Sequence, residues 1–241
     1  MCALVAITTA VVPSRALAQN PPPGAIFDLS TVHPGAFSPD DVYTQFSTSF
    51  VADSTSEYVS FAFREVPAYF SFDDACVTAT TCSSGNLLAS PGFESSTPGN
   101  VGSNFPTDWF RWIQPIDTSA IGVVAGNGNP QSCGNSGPNS GSYFWCDGSV
   151  QGYDALYQLV SGLNVGTTYT VSWYLTDNSG QSMNNPQIDM LAYAGDALPD
   201  GSVPIGTTPT GVTPEPSTFV MLGTGMAGLV RALRARRSRQ V

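Results

Sequence analysis

The sequence predicts an all-β protein, specifically a jelly-roll-like β-sandwich of antiparallel strands, and three observations favour it. Charged residues make up only 11% of the chain, whereas the turn formers Gly and Pro number 24 and 19. The 13 Phe, nine Tyr and four Trp supply enough apolar volume for a core, which argues against disorder. Apolar residues alternate with polar ones in short segments, and no segment of the body follows a helical period.

The clearest strand covers residues 58–64, where Val59, Phe61 and Phe63 face one side and Tyr58 and Ala62 the other. A turn at 53–56 separates this strand from a preceding one, and Pro67 ends it. The other predicted strands are short apolar or aromatic runs bounded by turn residues. They begin at 69–72 and then cover 86–88, 109–113, 143–145, 156–160, 167–175 and 188–193. These strands define a domain over 26–198, preceded by a Pro-rich leader at 19–25 and followed by a linker at 199–213.

Residues 1–18 are predicted to be a signal peptide. An apolar run over 3–12 is followed by Ala16-Leu17-Ala18, the small-x-small pattern that signal peptidase reads. The run is too short to span a bilayer as a helix. We therefore expect the chain to be exported into an oxidising compartment.

Four cysteines remain after removal of this segment, namely Cys76, Cys82, Cys133 and Cys146. An even number in an exported chain predicts two disulfides, with three connectivities open. The sequence spacing favours the local pairs Cys76–Cys82 and Cys133–Cys146, each of which would stabilise the fold by about 2–3 kcal/mol. A zinc site is the weaker alternative, because neither pair has CxxC spacing and His33 is the single histidine.

The C-terminal residues 214–241 have three parts. Pro214, Glu215 and Pro216 come first, and an apolar run over 219–230 that predicts a short hydrophobic helix follows. A cluster of basic residues ends the chain: Arg231, Arg234, Arg236, Arg237 and Arg239. A helix of this length covers about 18 Å, less than the bilayer core of about 30 Å, and the arginines would keep its end inside. We therefore expect a transient membrane contact, with an uncleaved tail anchor as the alternative.

This arrangement resembles the PEP-CTERM sorting signal of exported bacterial proteins. The resemblance implies that exosortase, an integral-membrane cysteine protease, cuts the chain near Pro214–Pro216. The product would be held briefly at the inner membrane by its C-terminus and then pass to the cell envelope or extracellular matrix. Proteins of this kind accompany the production of extracellular polysaccharide, which makes such a polymer a candidate partner.

The body is similar to a group of PEP-CTERM proteins whose jelly-roll domain resembles carbohydrate-binding modules. The segments that carry this likeness are 61–65, 72–77, 86–88 with 92–94, and 166–172. The NLL…GFE segment normally precedes the DD segment, and the reversed order here predicts a permuted or composite sandwich. In the related modules a structural calcium ion lies where the first and last strands meet. The resemblance implies Glu94 with Asp73 or Asp74 as its ligands, and carboxylates suit calcium.

Charge excludes one class of partner. Between residues 19 and 230 only Arg64 and Arg111 oppose the 18 acidic residues, so that this part carries a net charge of −16. Such a body repels the phosphate backbone, and we expect no nucleic-acid binding. Aromatic side chains are instead candidates for stacking on sugar rings, namely Trp109, Trp112, Tyr143, Trp145, Tyr153 and Tyr157. Tyr143 and Trp145 share one face beside a long loop, and we expect them to be exposed.

The sequence predicts no catalytic residue. A Gly-x-Ser-x-Gly motif is absent, and adjacent residues such as Asp73 and Asp74 should point to opposite sides of a strand, which excludes a carboxylate pair. The predicted function is that of a non-catalytic protein of the envelope or matrix with polysaccharide as its partner. A secreted polysaccharide-acting enzyme and an uncleaved, tail-anchored surface adhesin are the alternatives.

Overall fold

Two five-stranded antiparallel sheets form the protein in the computed structural model. The structure describes residues 21–38, 42–98, 106–114, 122–126, 137–177 and 179–199. These lie in the first of the chain's two units, Met1–Val203, and the second, Pro204–Val241, falls outside the described residues. So do the predicted signal peptide, most of the linker and the sorting signal.

The strands are short and follow the alternating segments of the sequence. They are β1 (Phe27–Asp28), β2 (Thr44–Val51), β3 (Ser56–Arg64), β4 (Phe70–Thr78), β5 (Phe110–Ile113), β6 (Gly122–Gly126), β7 (Tyr143–Asp147), β8 (Asp154–Ser161), β9 (Thr168–Asp177) and β10 (Asp189–Gly195). Within these described ranges two four-residue helices accompany the strands, α1 (Leu29–Val32) and α2 (Cys82–Gly85). In the parts of the chain that the structure describes, no helix has the length and apolar character needed to cross a bilayer.

The first sheet has the order β1-β10-β3-β8-β5 and the second the order β2-β9-β4-β7-β6. Every pairing within them is antiparallel. This confirms the prediction of an antiparallel β-sandwich. Strands β3 and β4 lie at the centres of the two sheets, so that side chains from these strands determine much of the core.

The inner faces of the sheets meet in an aromatic core. Val59, Phe61 and Phe63 of β3 are fully buried there, as the alternation predicted, and Phe61 contacts Phe72 of β4 with ring centroids 4.8 Å apart. Trp173 of β9 lies 5.3 Å from the Phe61 ring in an edge contact. The opposite face of the first sheet carries a second buried cluster: Tyr58, Ala62, Trp112, Tyr153, Ala155, Tyr157, Leu191, Tyr193 and Leu198.

A disulfide joins Cys76 of β4 to Cys82 at the start of α2, with Cα atoms 5.8 Å apart, which confirms that predicted pair. Cys146 is also disulfide-bonded. Its predicted partner, Cys133, lies outside the described residues.

The predicted strand at 86–88 is wrong, because the Asn86 side chain takes the place of a strand backbone. Its Oδ1 accepts hydrogen bonds from the N–H groups of Val77 (3.0 Å) and Leu88 (3.1 Å). Its Nδ2 donates to the carbonyl of Ala75 at 2.9 Å, and the Leu87 N–H donates to the Val77 carbonyl at 2.8 Å. The Asn86 amide thus binds the backbone N–H of Val77 and the carbonyl of Ala75, groups that a neighbouring strand would otherwise bind. The short strands β1 and β6 were not predicted.

We expect Asn86→Ala to lower the free energy of unfolding by about 1–3 kcal/mol, because it leaves part-buried groups of β4 without partners. Asn86→Asp keeps the acceptor but loses the Nδ2 donor, and should cost less. Ser83→Ala, an exposed change in α2, is the matched control. Urea unfolding measures all three, and an Asn86→Ala variant as stable as the control would contradict this role.

Candidate functional site

The predicted calcium ligands Asp73, Asp74 and Glu94 all bind one loop, the segment 139–143 that precedes and enters β7. Asp73 Oδ2 accepts hydrogen bonds from the backbone N–H groups of Asn139 (2.8 Å) and Ser140 (3.2 Å). Asp74 accepts from the side chains of the same two residues, each at 2.8 Å. Both aspartates therefore reach the same loop, contrary to the expectation that they point apart.

Backbone geometry explains this correction. The register of β4 against β9 shifts between Asp73 and Cys76, and Asp74 adopts a φ of 50°. A bulge of this kind interrupts the alternation of side chains along a strand. It brings the two consecutive carboxylates to one side.

Glu94 holds the far end of the same loop, where its Oε1 accepts from the N–H groups of Ser142 (2.8 Å) and Tyr143 (2.9 Å). Gly141 between the two ends has a φ of 65°, and a Cβ there would lie 2.3 Å from Glu94 Oε1. Among the described residues no group of three or more His, Cys, Asp and Glu side chains is arranged to hold a metal ion. The three predicted ligands hold the loop through its N–H and side-chain donors.

The predicted sugar-stacking residues are mostly buried, which corrects the expectation of exposure. Trp145 has no exposed surface, and its Nε1 donates to Asp147 Oδ2 at 2.9 Å. Trp109 is 4% exposed and Trp112 8%. Tyr143 is half-buried and packs against the core. A ring without an exposed face cannot stack on a sugar, so Trp145 is not available for this role, whereas part of Tyr143 remains exposed.

Phe110 was not selected, yet it is 52% exposed and stacks on Tyr157 with ring centroids 5.7 Å apart. The sequence contained a pattern that could have identified Phe110. It lies two residues from Trp112, so the two rings share one face of the same strand.

A cleft of about 340 Å³ with both polar and apolar walls opens beside the first sheet, where β1 and β10 lie next to each other. Its acidic and hydroxyl-bearing lining comes from Asp28, Ser30, Tyr153 and Asp189, and the loop before β10 adds Asn184 and Asn185. Tyr153 was predicted only as a sugar-stacking aromatic, and the other residues named here were not predicted. The sequence shows Asp28 and Asp189, but it does not show that they belong to one site. That depends on the pairing of β1 with β10, which joins distant parts of the chain.

Hydrogen bonds hold the acidic wall of this cleft in place. Asp189 accepts from the Tyr153 hydroxyl at 3.0 Å and from the Ser30 N–H at 3.3 Å. Asp28 caps α1, accepting from the Ser30 hydroxyl (2.6 Å) and the Thr31 N–H (3.0 Å). Burial, with a contribution from the Asp28 charge, raises the pKa of Asp189 to about 6. Arg64 supports the opposite wall by donating to the Pro186 carbonyl at 3.1 Å.

Between the sheets, at one end of the sandwich, lies a second acidic group that we call the inner carboxylate layer. Its members are Glu65, Asp147, Asp154 and Asp177, none more than 1% exposed. Arg111 forms an ion pair with Asp154 and lies over the Trp145 ring, 6.0 Å from its centroid. Each acid sits at a strand end, on the face that continues the inward alternation.

Burial raises the pKa of every acid for which a shift is resolved in this layer. For Asp147 burial dominates, Asp154 adds to the rise, and Arg111 and the Trp145 indole oppose it. Burial followed by the Asp177 charge raises the pKa of Glu65 to about 9. Burial also raises the pKa of Asp177. Paired carboxylates beside a cation are components of hydrolytic sites, but these side chains have no surface open to a substrate.

Comparison with known proteins supplies one match. The family model of the PEP-CTERM protein-sorting motif matches residues 212–237, which include the Pro214–Pro216 triplet, the apolar run and the arginines up to Arg237. No curated protein and no solved structure matches the chain. The chain thus carries a PEP-CTERM sorting motif and is an exported, envelope-associated protein sorted by an exosortase.

The inner carboxylate layer makes stability depend on pH. A carboxyl whose pKa is higher in the folded than in the unfolded state stabilises the fold below its unfolded pKa and loses that effect as pH rises. For Glu65 the stabilisation is lost as the pH rises from 4.5, the ordinary pKa of the group, to about 9, its pKa in the folded protein. We expect the melting temperature to fall across this range and Glu65→Gln to flatten the profile. Asp196→Asn, at an exposed position, is the control, and equal pH profiles in all three proteins would contradict the prediction.

Proposed function

We propose that this protein is a non-catalytic component of the cell envelope or extracellular matrix that binds extracellular polysaccharide in the cleft at Asp28 and Asp189. The sorting motif at 212–237 supports the first half of the proposal, because such a motif directs an exported protein to the cell envelope. The cleft supports the second half.

The lining of the cleft suits the hydroxyl groups of a sugar. Asp28 and Asp189 offer acceptors, while Asn184 and Asn185 carry amides that both donate and accept. Asn184 is exposed, and Asp28 and Asn185 are half-buried, so these groups are accessible to a polymer at the surface. A few well-placed polar groups in a concave site are typical of small-molecule recognition.

Charge favours a neutral polysaccharide over an acidic one. Two aspartates line the cleft, and the body as a whole carries far more acidic than basic residues. This field repels uronic-acid or sulfated chains, which would also bring their own charges against Asp28.

A non-catalytic role fits the burial of the acids. The inner carboxylate layer is closed to solvent. Asp73 and Glu94 accept hydrogen bonds from the loop at 139–143. Release of reducing ends from any tested polysaccharide would contradict this part of the proposal.

Binding is tested by co-sedimentation and calorimetry with a neutral glucan and a uronic-acid polymer. We expect the protein to bind the neutral polymer and Asp28→Asn or Asn184→Ala to weaken binding about tenfold, the loss of one good polar contact. Asn at position 28 still caps α1, so folding should be preserved. The matched controls are Asp196→Asn and Asn164→Ala. Absence of binding to both polymers, or equal binding by variants and controls, would overturn the cleft assignment.

Processing is tested by intact mass of the protein recovered from the producing cells. We expect the mature chain to end near Pro214–Pro216 and to lack the arginines from Arg231 onward. Replacement of the triplet by Ala-Ala-Ala should leave the tail attached. A wild-type mature chain that still ends in Val241 would favour the uncleaved adhesin.

A further inference from the structure

Glu65 is a buried carboxylate without a partner. It follows β3 directly, at the position that continues the inward row of Val59, Phe61 and Phe63, and it is 1% exposed. Among the described residues, neither of its carboxylate oxygens has a hydrogen-bond partner. The Ala68 N–H lowers its pKa.

Asp177 pairs with Phe70 on the inner face of the second sheet, and the Phe70 ring lies 6.4 Å from that of Phe63, two residues before Glu65. The two acids therefore lie at the same end of the sandwich, and the Asp177 charge contributes to the raised pKa of Glu65. Asp177 is fully buried and accepts hydrogen bonds from the Ser179 N–H (2.8 Å) and hydroxyl (2.6 Å). A carboxylate has about four lone-pair sites, so two such bonds leave it with capacity for a further ligand.

Each of the two arginines of the body contacts another group in the structure. Arg111 pairs with Asp154, and Arg64 donates to the Pro186 carbonyl on the outer side of the first sheet. Burying two carboxylates without a compensating charge is costly, and the cost is relieved either by a proton or by a cation.

We propose that a divalent cation that prefers oxygen ligands, Ca²⁺ above all, binds between the two sheets with the carboxylates of Glu65 and Asp177 as its charged ligands. Two carboxylates neutralise the charge of the ion, and backbone carbonyls and water complete the coordination shell of six to eight oxygens. The ion would connect β3 of one sheet to β9 of the other. This site is distinct from Asp73, Asp74 and Glu94, whose carboxylates already accept hydrogen bonds from the loop at 139–143.

The test uses Ca²⁺ alone, added to the purified full chain after treatment with EDTA, with calorimetric titration and thermal unfolding as readouts. At a hundredfold excess over the dissociation constant, we expect Ca²⁺ to raise the melting temperature by about 5–10 °C. Glu65→Gln and Asp177→Asn should abolish both the binding heat and this shift. Asp74→Asn and Glu94→Gln are matched carboxylate controls, and both should keep them.

Glu65→Gln should fold without Ca²⁺, since the amide removes a buried charge, so loss of the Ca²⁺ effect in this variant is not a loss of folding. Two results would overturn the proposal. One is a wild-type protein that neither binds Ca²⁺ nor is stabilised by it, in which case Glu65 carries a proton. The other is a Ca²⁺ response that survives in both variants, which places the ion elsewhere.

Discussion

The contact between Phe61 and Phe72 is the one on which the rest of the structure depends, because it joins the central strands of the two sheets. Their ring centroids are 4.8 Å apart, and both side chains are fully buried. Trp173 and Phe93 continue the cluster, at 5.3 Å from Phe61 and 6.1 Å from Phe72. Interlocking rings of this size fix the distance between the sheets and the register of every strand that pairs with β3 and β4.

The same alternation that builds this core also carries acids into it. At one end of the sandwich, the inward positions on or next to β3, β7, β8 and β9 are occupied by acids instead of aromatic residues, namely Glu65, Asp147, Asp154 and Asp177. The interior therefore changes from apolar to acidic along the strands. In an acidic protein with two arginines in its body, this layer cannot be neutralised by side chains alone, and protons or a cation must take part.

Much of the fold was predictable from particular residues. The alternation at 58–64 predicted the two faces of β3, and the short spacing of Cys76 and Cys82 predicted their disulfide. The candidate sites were less accessible. The contacts of Asp73 and Asp74 with the loop at 139–143 depend on a bulge and on the positive φ of Asp74. The two-residue period of a strand does not reveal either feature. The exposure of an aromatic residue depends on what packs over it, so Trp145 was selected and Phe110 overlooked.

By itself, the sequence determined that the protein is a β-sandwich and that it carries a sorting motif, since alternation and a linear motif are both written along the chain. Only the tertiary structure decided which acids meet. β1 pairs with β10 from the other end of the body and brings Asp28 beside Asp189, and the closing of two sheets brings Glu65 towards Asp177. These contacts join residues that are far apart in the chain. They result from strand pairing and sheet packing, which a local sequence pattern does not predict.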